Sequence, residues 1–382
     1  MLPLRPEPSE KNRRIPFGAH AAVLPKSQLP HLLNALLEDY RVVGPRVGAG
    51  EIVLDWIGSP DDLARGYRDV QTPGIYRLEK AEDDGTVFTY VNGHESPKKF
   101  LHPGRFVEFV GKPFQAEARP LPIEEDRRKT AFFAIRPCDR QAIHVLDLVF
   151  KNAYPDYYYC RQREGSLLVV LNCTATGNNC FCVSMGTGPR ADTLFDLALT
   201  ELDGRFLLEV GSPEGEAVAR RLDTRPATSE DLTEAAQDLA GAAASMRRKL
   251  NTINLVQILQ GQFDNPYWDV MGEWCVGCGN CTAVCPTCFC YEIDDTLDLA
   301  TGLVERIRRW DVCFTWQFTE MHGCNTRSEL RQRYRHWCEH KLSYWVNQYG
   351  VFGCVGCGRC LTWCPVKIDI SAVANTVRRN QL

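Results

Sequence analysis

The chain has 382 residues, room for two domains or three, and its 44% hydrophobic and 24% charged residues suit a soluble globular protein. A net charge of -4 offers no basic face for nucleic acid, and no apolar run is long enough to cross a bilayer. Residues Met1–Pro8 hold no hydrophobic signal core, so a cytoplasmic location is expected, where eighteen cysteines point to metal rather than to disulfides.

In chain order, residues 1–20 read as a Pro- and Arg-rich arm. Ser27 opens a helix with Pro30 in its first turn, and Leu29, Leu32, Leu33, Leu36, Leu37 and Tyr40 form its apolar stripe. Strand-like runs follow at Arg41–Val43, Ile52–Ile57 and Val87–Val91. The rest of 61–112 is too mixed in pattern to assign.

Ala131–Ile135 is fully apolar and runs into Arg136-Pro137-Cys138-Asp139. Gln141–Phe150 reads as a helix, and Leu167–Leu171 is a second apolar run, ending in Asn172-Cys173. Two continuous apolar strands around a helix predict a parallel β-α-β unit with both faces covered. Both strands then end on one sheet edge, where α/β proteins place their sites. Cys138 and Cys173 sit at that edge, and Cys180 and Cys182 follow at once. These four thiols make a third [4Fe–4S] cluster the leading reading, with a structural zinc site and plain buried thiols as the alternatives.

The Gly-rich loop Ser184–Pro189 has two readings, a phosphate cradle or N–H donors to cluster sulfur, and the second is preferred. No dinucleotide fingerprint or P-loop is present, and Gly48-Ala49-Gly50 lacks the rest of one. The chain is therefore not expected to hold a nicotinamide or flavin itself.

Phe195–Leu199 and Phe206–Val210 read as strands joined at Asp203-Gly204, and Gly211–Pro226 as a boundary. Thr228-x-x-Asp231 resembles a capping box and opens an Ala-rich helix; Ile253–Gln260 is another helical stretch. The expected division is an α+β or α/β domain with a partly parallel sheet at 1–225. A mainly helical, two-cluster ferredoxin-like domain follows at 226–382.

That second domain carries the strongest signal. Cys275-x2-Cys278-x2-Cys281-x3-Cys285-Pro286 is the iron–sulfur run of bacterial ferredoxins, and Cys354-x2-Cys357-x2-Cys360-x3-Cys364-Pro365 repeats it. Three closely spaced cysteines wrap three corners of a cubane, with Gly277, Gly279, Gly356 and Gly358 free to adopt positive φ. The fourth cysteine serves the other cube. The expected sets are Cys275, Cys278, Cys281 and Cys364, then Cys354, Cys357, Cys360 and Cys285. Zinc is the weaker alternative, because its motifs pair cysteines two and two. Between the motifs, Thr326-x-x-Glu329 is read as a helix cap. The stripe Leu330, Tyr334, Trp337, Leu342, Trp345 and Tyr349 is read as core beneath the clusters rather than a partner face, and Gly350 as the helix end. Cys160, Cys288, Cys290, Cys313, Cys324 and Cys338 stay unassigned. Cys288 and Cys290 lie close enough to Cys285 for a ligand exchange, although Cys-Pro favours Cys285.

The combined pieces resemble the iron–sulfur β subunit of cytoplasmic NAD(P)-linked [NiFe] hydrogenases, the sulfhydrogenases, and its homologue in anaerobic sulfite reductase. The resemblance runs from about Leu24 to Ile370. It rests on Ile135–Asp139, on Asn172-Cys173 through Cys180-Phe181-Cys182 to Met185–Pro189, and on Cys354–Cys360 with Cys364–Ile370. It implies three [4Fe–4S] clusters in this chain, with FAD, NAD(P) and the NiFe centre on partners. Those partners would be the small and large hydrogenase subunits, together with a flavin/NAD(P)-binding subunit. No catalytic residue is expected here, as the eight histidines form no H-E-x-x-H or similar constellation. The alternatives are the matching subunit of a siroheme sulfite reductase, a free-standing carrier and, more remotely, a redox or iron sensor.

Overall fold

The structure is a computed structural model that describes residues 14–380 except 82–84, 92, 113–118, 121–127 and 153, with backbone alone at 119–120. Most of the expected N-terminal arm and the Met1–Pro8 stretch lie outside the described residues.

Eight strands form one mixed sheet, in the order Arg225–Pro226, Ala21–Pro25, Arg205–Val210, Leu197–Leu202, Leu167–Leu171, Thr130–Ile135, Arg41–Val47 and Ile52–Ile57. Its centre is parallel, with Val43 opposite Phe132, Ala131 opposite Leu167, and Leu171 opposite Leu199. The outer pairs are antiparallel. Thr130–Ile135 and Leu167–Leu171 are buried along their whole length, because both faces are covered. Helix Leu29–Asp39 packs its leucines on one face, and helix Pro137–Phe150 packs Ile143, Leu146 and Phe150 on the other.

The parallel β-α-β unit is therefore present, with the helix beginning at Pro137 rather than Gln141. Pro at the first helical position explains the earlier start, since it gives up an N–H that has no partner there. Ala134 has φ +54° and interrupts the register between Phe133 and Ile135. This bulge re-aims the chain just before Arg136 and Cys138.

Several expectations need correction. Val87–Val91 forms no strand; Glu201 takes the Val87 and Phe88 amides instead. The Gly211–Pro226 stretch is built into the sheet, with Arg225–Pro226 pairing against Ala22 and Val23. The helix expected from Thr326 starts at Leu330, and its capping box is Glu329 with Gln332. The Thr228–Asp231 box is present as read.

Helices surround the two motifs, but the stretch between them also contributes a hairpin, Tyr291–Asp298 with Leu303–Trp310. That hairpin extends to Arg105–Gly111 and Arg119–Pro120 in a second, four-stranded sheet. Arg308 fixes the junction, reaching both Glu108 and Asp156. Most of the aromatic stripe is core: Tyr334, Trp337 and Leu342 are buried with Trp268 and Phe314, Trp345 is buried too, and Leu330 and Tyr349 are half-buried. No described helix is long and apolar enough to cross a membrane.

Candidate metal centres

The two motifs fold alike. Gly277 and Gly356 have φ +68° and +65°, and each donates its N–H to the sulfur of the motif's first cysteine, at 3.4 Å. Gly279 and Gly358 then cap four-residue helices, Asn280–Ala283 and Arg359–Thr362. On each helix a threonine, Thr282 or Thr362, returns its hydroxyl to the capping glycine's carbonyl. The spacing thus imposes one backbone path twice.

The path leaves two thiol-lined cavities. One, of about 400 Å³ counting space open to solvent, is lined by Cys275, Cys278, Cys281 and Cys364, with Cys360 also on its wall. The other, about 340 Å³, is lined by Cys354, Cys357, Cys360 and Cys285. Each fourth cysteine faces the cavity of the opposite motif. Trp337 stands in the wall of both, so the aromatic stripe packs directly beneath them. Ile368 adds an N–H to Cys364 Sγ at 3.3 Å.

A third cavity, about 440 Å³, opens at the C-terminal edge of the large sheet. Cys138, Cys173, Cys180 and Cys182 all line it, joined by Arg136, Arg359, Met246 and Cys357. Asn172 anchors the strand end: its side chain donates to Thr200 Oγ1 at 2.9 Å and accepts the Ala191 N–H at 2.9 Å. Cys173 N–H then bonds the Pro189 carbonyl, across a loop that contains the cis Gly188-Pro189 peptide. Within the Ser184–Pro189 loop, the Ser184, Gly186 and Thr187 amides donate to the carbonyls of Phe181, Val183 and Cys182. Gly188 has a different role: a Cβ there would lie 2.9 Å from Cys182 Sγ.

The second motif docks on this loop. Phe181 N–H bonds the Gly356 carbonyl at 2.8 Å, and Asn179 donates to Thr362 Oγ1 at 2.8 Å. A Cβ on Gly356 would come within 2.7 Å of the Cys182 backbone. Arg359 forms a buried bidentate pair with Asp139 and donates its Nε to the Gly93 carbonyl. The ribbon Tyr67–Thr72/Ile75–Lys80, within the stretch whose pattern is too mixed to assign, covers the motif from outside. There Gly74 N–H bonds the Leu361 carbonyl, and Tyr76 stacks on Trp363.

Burial pushes Cys138, Cys173 and Cys182 up, and takes Cys180 and Cys354 up to about 12. Arg136, with Nη1 3.9 Å from Cys173 Sγ, opposes the rise there. Cys285 is held down instead, by a hydrogen bond from Cys288 and by the Lys341 ammonium. Thiolates confined in apolar walls need a cation to compensate them. Among the described residues no group of His, Cys, Asp or Glu side chains is gathered to hold a single metal ion. The thiols stand around larger cavities.

The remaining cysteines line none of the three cavities. Cys313 and Cys338 are buried, Cys324 is exposed, and the Cys160 thiol lies 3.6 Å from the Phe150 carbonyl. Sequence reading did not single out Arg359, Lys341 or Met246. Arg359 had a signal, since it lies inside the second motif; Lys341 and Met246 had none.

Residues 274–368 match the family of 4Fe-4S dicluster domains. Over 327 residues the chain is 34% identical to sulfhydrogenase 2 subunit beta of Pyrococcus furiosus, a match covering 83% of this chain and 93% of that protein. No solved structure matches the chain.

Proposed function

Because the chain belongs to the family of sulfhydrogenase β subunits, and is thus an iron–sulfur subunit of an oxidoreductase, we propose that it relays electrons through three [4Fe–4S] clusters. The ligand sets are Cys138, Cys173, Cys180 and Cys182; Cys285, Cys354, Cys357 and Cys360; and Cys275, Cys278, Cys281 and Cys364. The observation that carries the reading is the row of three cavities. The middle one shares Cys357 with the N-terminal cavity and Cys360 with the other, while the outer two share no lining cysteine.

Each cluster, when bound, takes up and gives up one electron. This chain's residues do the rest. They hold the thiolates, exclude water with Trp337, Phe181 and Met246, and supply N–H donors to sulfur. One end of the row reaches the surface at Cys278, beside exposed Trp274 and Val276. The relay has no catalytic residue of its own. Its partners are a flavin subunit that exchanges electrons with NAD(P)H and the small and large subunits of a [NiFe] hydrogenase, in the cytoplasm. Residues 1–225 carry the first ligand set and 226–382 the other two.

The test is the metal content of the complex purified anaerobically from its native source by a tag on this chain. Nickel together with abundant iron supports a hydrogenase. Iron without nickel, with a siroheme spectrum, moves the assignment to sulfite reduction.

A further inference from the structure

The wall of the middle cavity contains a buried cation. Residues His340–Tyr344 form a π turn inside the helical stretch Leu330–Tyr349, and that turn directs Lys341 into the cavity. Widened turns of this kind recur at functional positions. Lys341 is 2% exposed, and its Nζ donates to Thr287 Oγ1 at 2.9 Å. The Thr287 hydroxyl donates to the Gly353 carbonyl at 2.5 Å and lies 3.2 Å from Cys285 Sγ. The Lys341 carbonyl accepts the Cys354 N–H at 3.1 Å. The lysine therefore touches both segments that supply the cavity's thiols.

Among the described residues no carboxylate pairs with Lys341; burial opposes its charge, and the Cys285 thiol, the hydrogen-bonded Cys288 thiol and the Cys290 thiol favour it. A buried ammonium needs a compensating negative charge. The cavity of Cys275, Cys278, Cys281 and Cys364 has no charged residue in its wall. In the N-terminal cavity the Arg359 guanidinium is neutralised by Asp139, while Arg136 faces Cys173 Sγ at 3.9 Å. Neither of the other two sites has a lysine like Lys341 in its wall.

We infer that Lys341 is the resident counter-ion of the middle cluster and raises its reduction potential. The inference rests on the three-cluster reading above. A [4Fe–4S] cluster held by four thiolates is an anion that gains one more negative charge on reduction. A fixed cation in a low-dielectric wall stabilises the reduced form more than the oxidised one.

The experiment is an anaerobic, EPR-monitored redox titration of the full chain, wild type against Lys341→Met, Lys341→Gln and Lys341→Arg, with iron counted in each. The middle cluster's signal is the one that Cys354→Ser removes. The expected result is a fall in that midpoint for Met and Gln equal to at least a tenfold change in the reduction equilibrium, about 59 mV for one electron. Arg should stay near wild type and the other two midpoints should not move. Unmoved midpoints with full iron overturn the inference. Iron loss in both neutral variants but not in Arg supports the need for a cation, whereas loss in all three variants, Arg included, assigns the lysine to shape alone and overturns it. A wild-type chain with no signal sensitive to Cys354→Ser refutes the cluster reading itself, a different failure.

Discussion

The Arg359 guanidinium grips the Asp139 carboxylate with two hydrogen bonds, Nη1 to Oδ1 at 2.7 Å and Nη2 to Oδ2 at 3.2 Å. Arg359 comes from the second ferredoxin motif and Asp139 from the first turn of the helix that follows the sheet edge. The pair ties the N-terminal thiol cavity to the middle one, and both partners are almost fully buried. Removing one partner leaves an uncompensated charge in the interior. Asp139→Ala is therefore expected to destabilise the protein by about 3–5 kcal/mol. An Asp139→Leu/Arg359→Met double variant should recover much of that loss, and chemical denaturation of the three proteins checks it. An Asp139→Ala variant as stable as wild type would show that the pair contributes nothing.

Gly356 is constrained twice, by φ +65° and by the approach of the Cys182 backbone. Gly356→Ala should destabilise by more than about 1 kcal/mol, because neither the conformation nor the space admits a Cβ. Since the clash falls between two cavities, iron retention should drop at both. Thermal denaturation and iron analysis of the variant read the two effects separately.

Ligand substitution should act locally. Cys180→Ser in the full chain is expected to cost about four irons and leave the rest. Unchanged iron would remove Cys180 from the ligand set. Stripping the iron from wild type should lower the melting temperature, since ligation adds directly to the stability of the folded state.

The helix Ser229–Ser245, which ends against Met246 in the N-terminal cavity, is pinned by Asp231. Arg225, then the Thr228 backbone and hydroxyl and Arg205, hold the Asp231 carboxyl well below the usual carboxylate range. A depressed pKa in the folded state gives stability that is complete above the unfolded value of about 4 and drains away as pH falls toward the folded one. Asp231→Asn should lose about 1–2 kcal/mol at neutral pH. The gap in melting temperature to wild type should hold from pH 7 to about pH 5 and narrow as the pH falls below about 4. A gap that stays constant with pH would assign the loss to shape rather than charge.

The two C-terminal thiol-lined cavities were legible in the sequence because the repeated C-x2-C-x2-C-x3-C-P run fixes residue type and short-range spacing together, and the N-terminal one because two apolar strands end on one sheet edge. The parallel centre of the sheet was legible too, since Thr130–Ile135 and Leu167–Leu171 are buried on both faces and read as unbroken apolar runs. The ribbon Tyr67–Thr72/Ile75–Lys80 was not. Its residues are mostly exposed or half-exposed, and its closeness to the second motif comes from tertiary contacts at Gly74 and Tyr76. The hairpin Tyr291–Asp298/Leu303–Trp310 is polar for the same reason. Lys341 was hidden in another way: a lysine in a helix normally reads as a solvated face, and only the π turn at His340–Tyr344 brings it into the cavity wall.

We propose that one chain holds three cubanes in a row. The most direct test is iron and acid-labile sulfide analysis with Mössbauer spectroscopy on the isolated chain, purified anaerobically or reconstituted. The account predicts about twelve irons and as many sulfides per chain, three times four, all in [4Fe–4S] form. About eight irons, or zinc in place of iron at the N-terminal thiols, would contradict it.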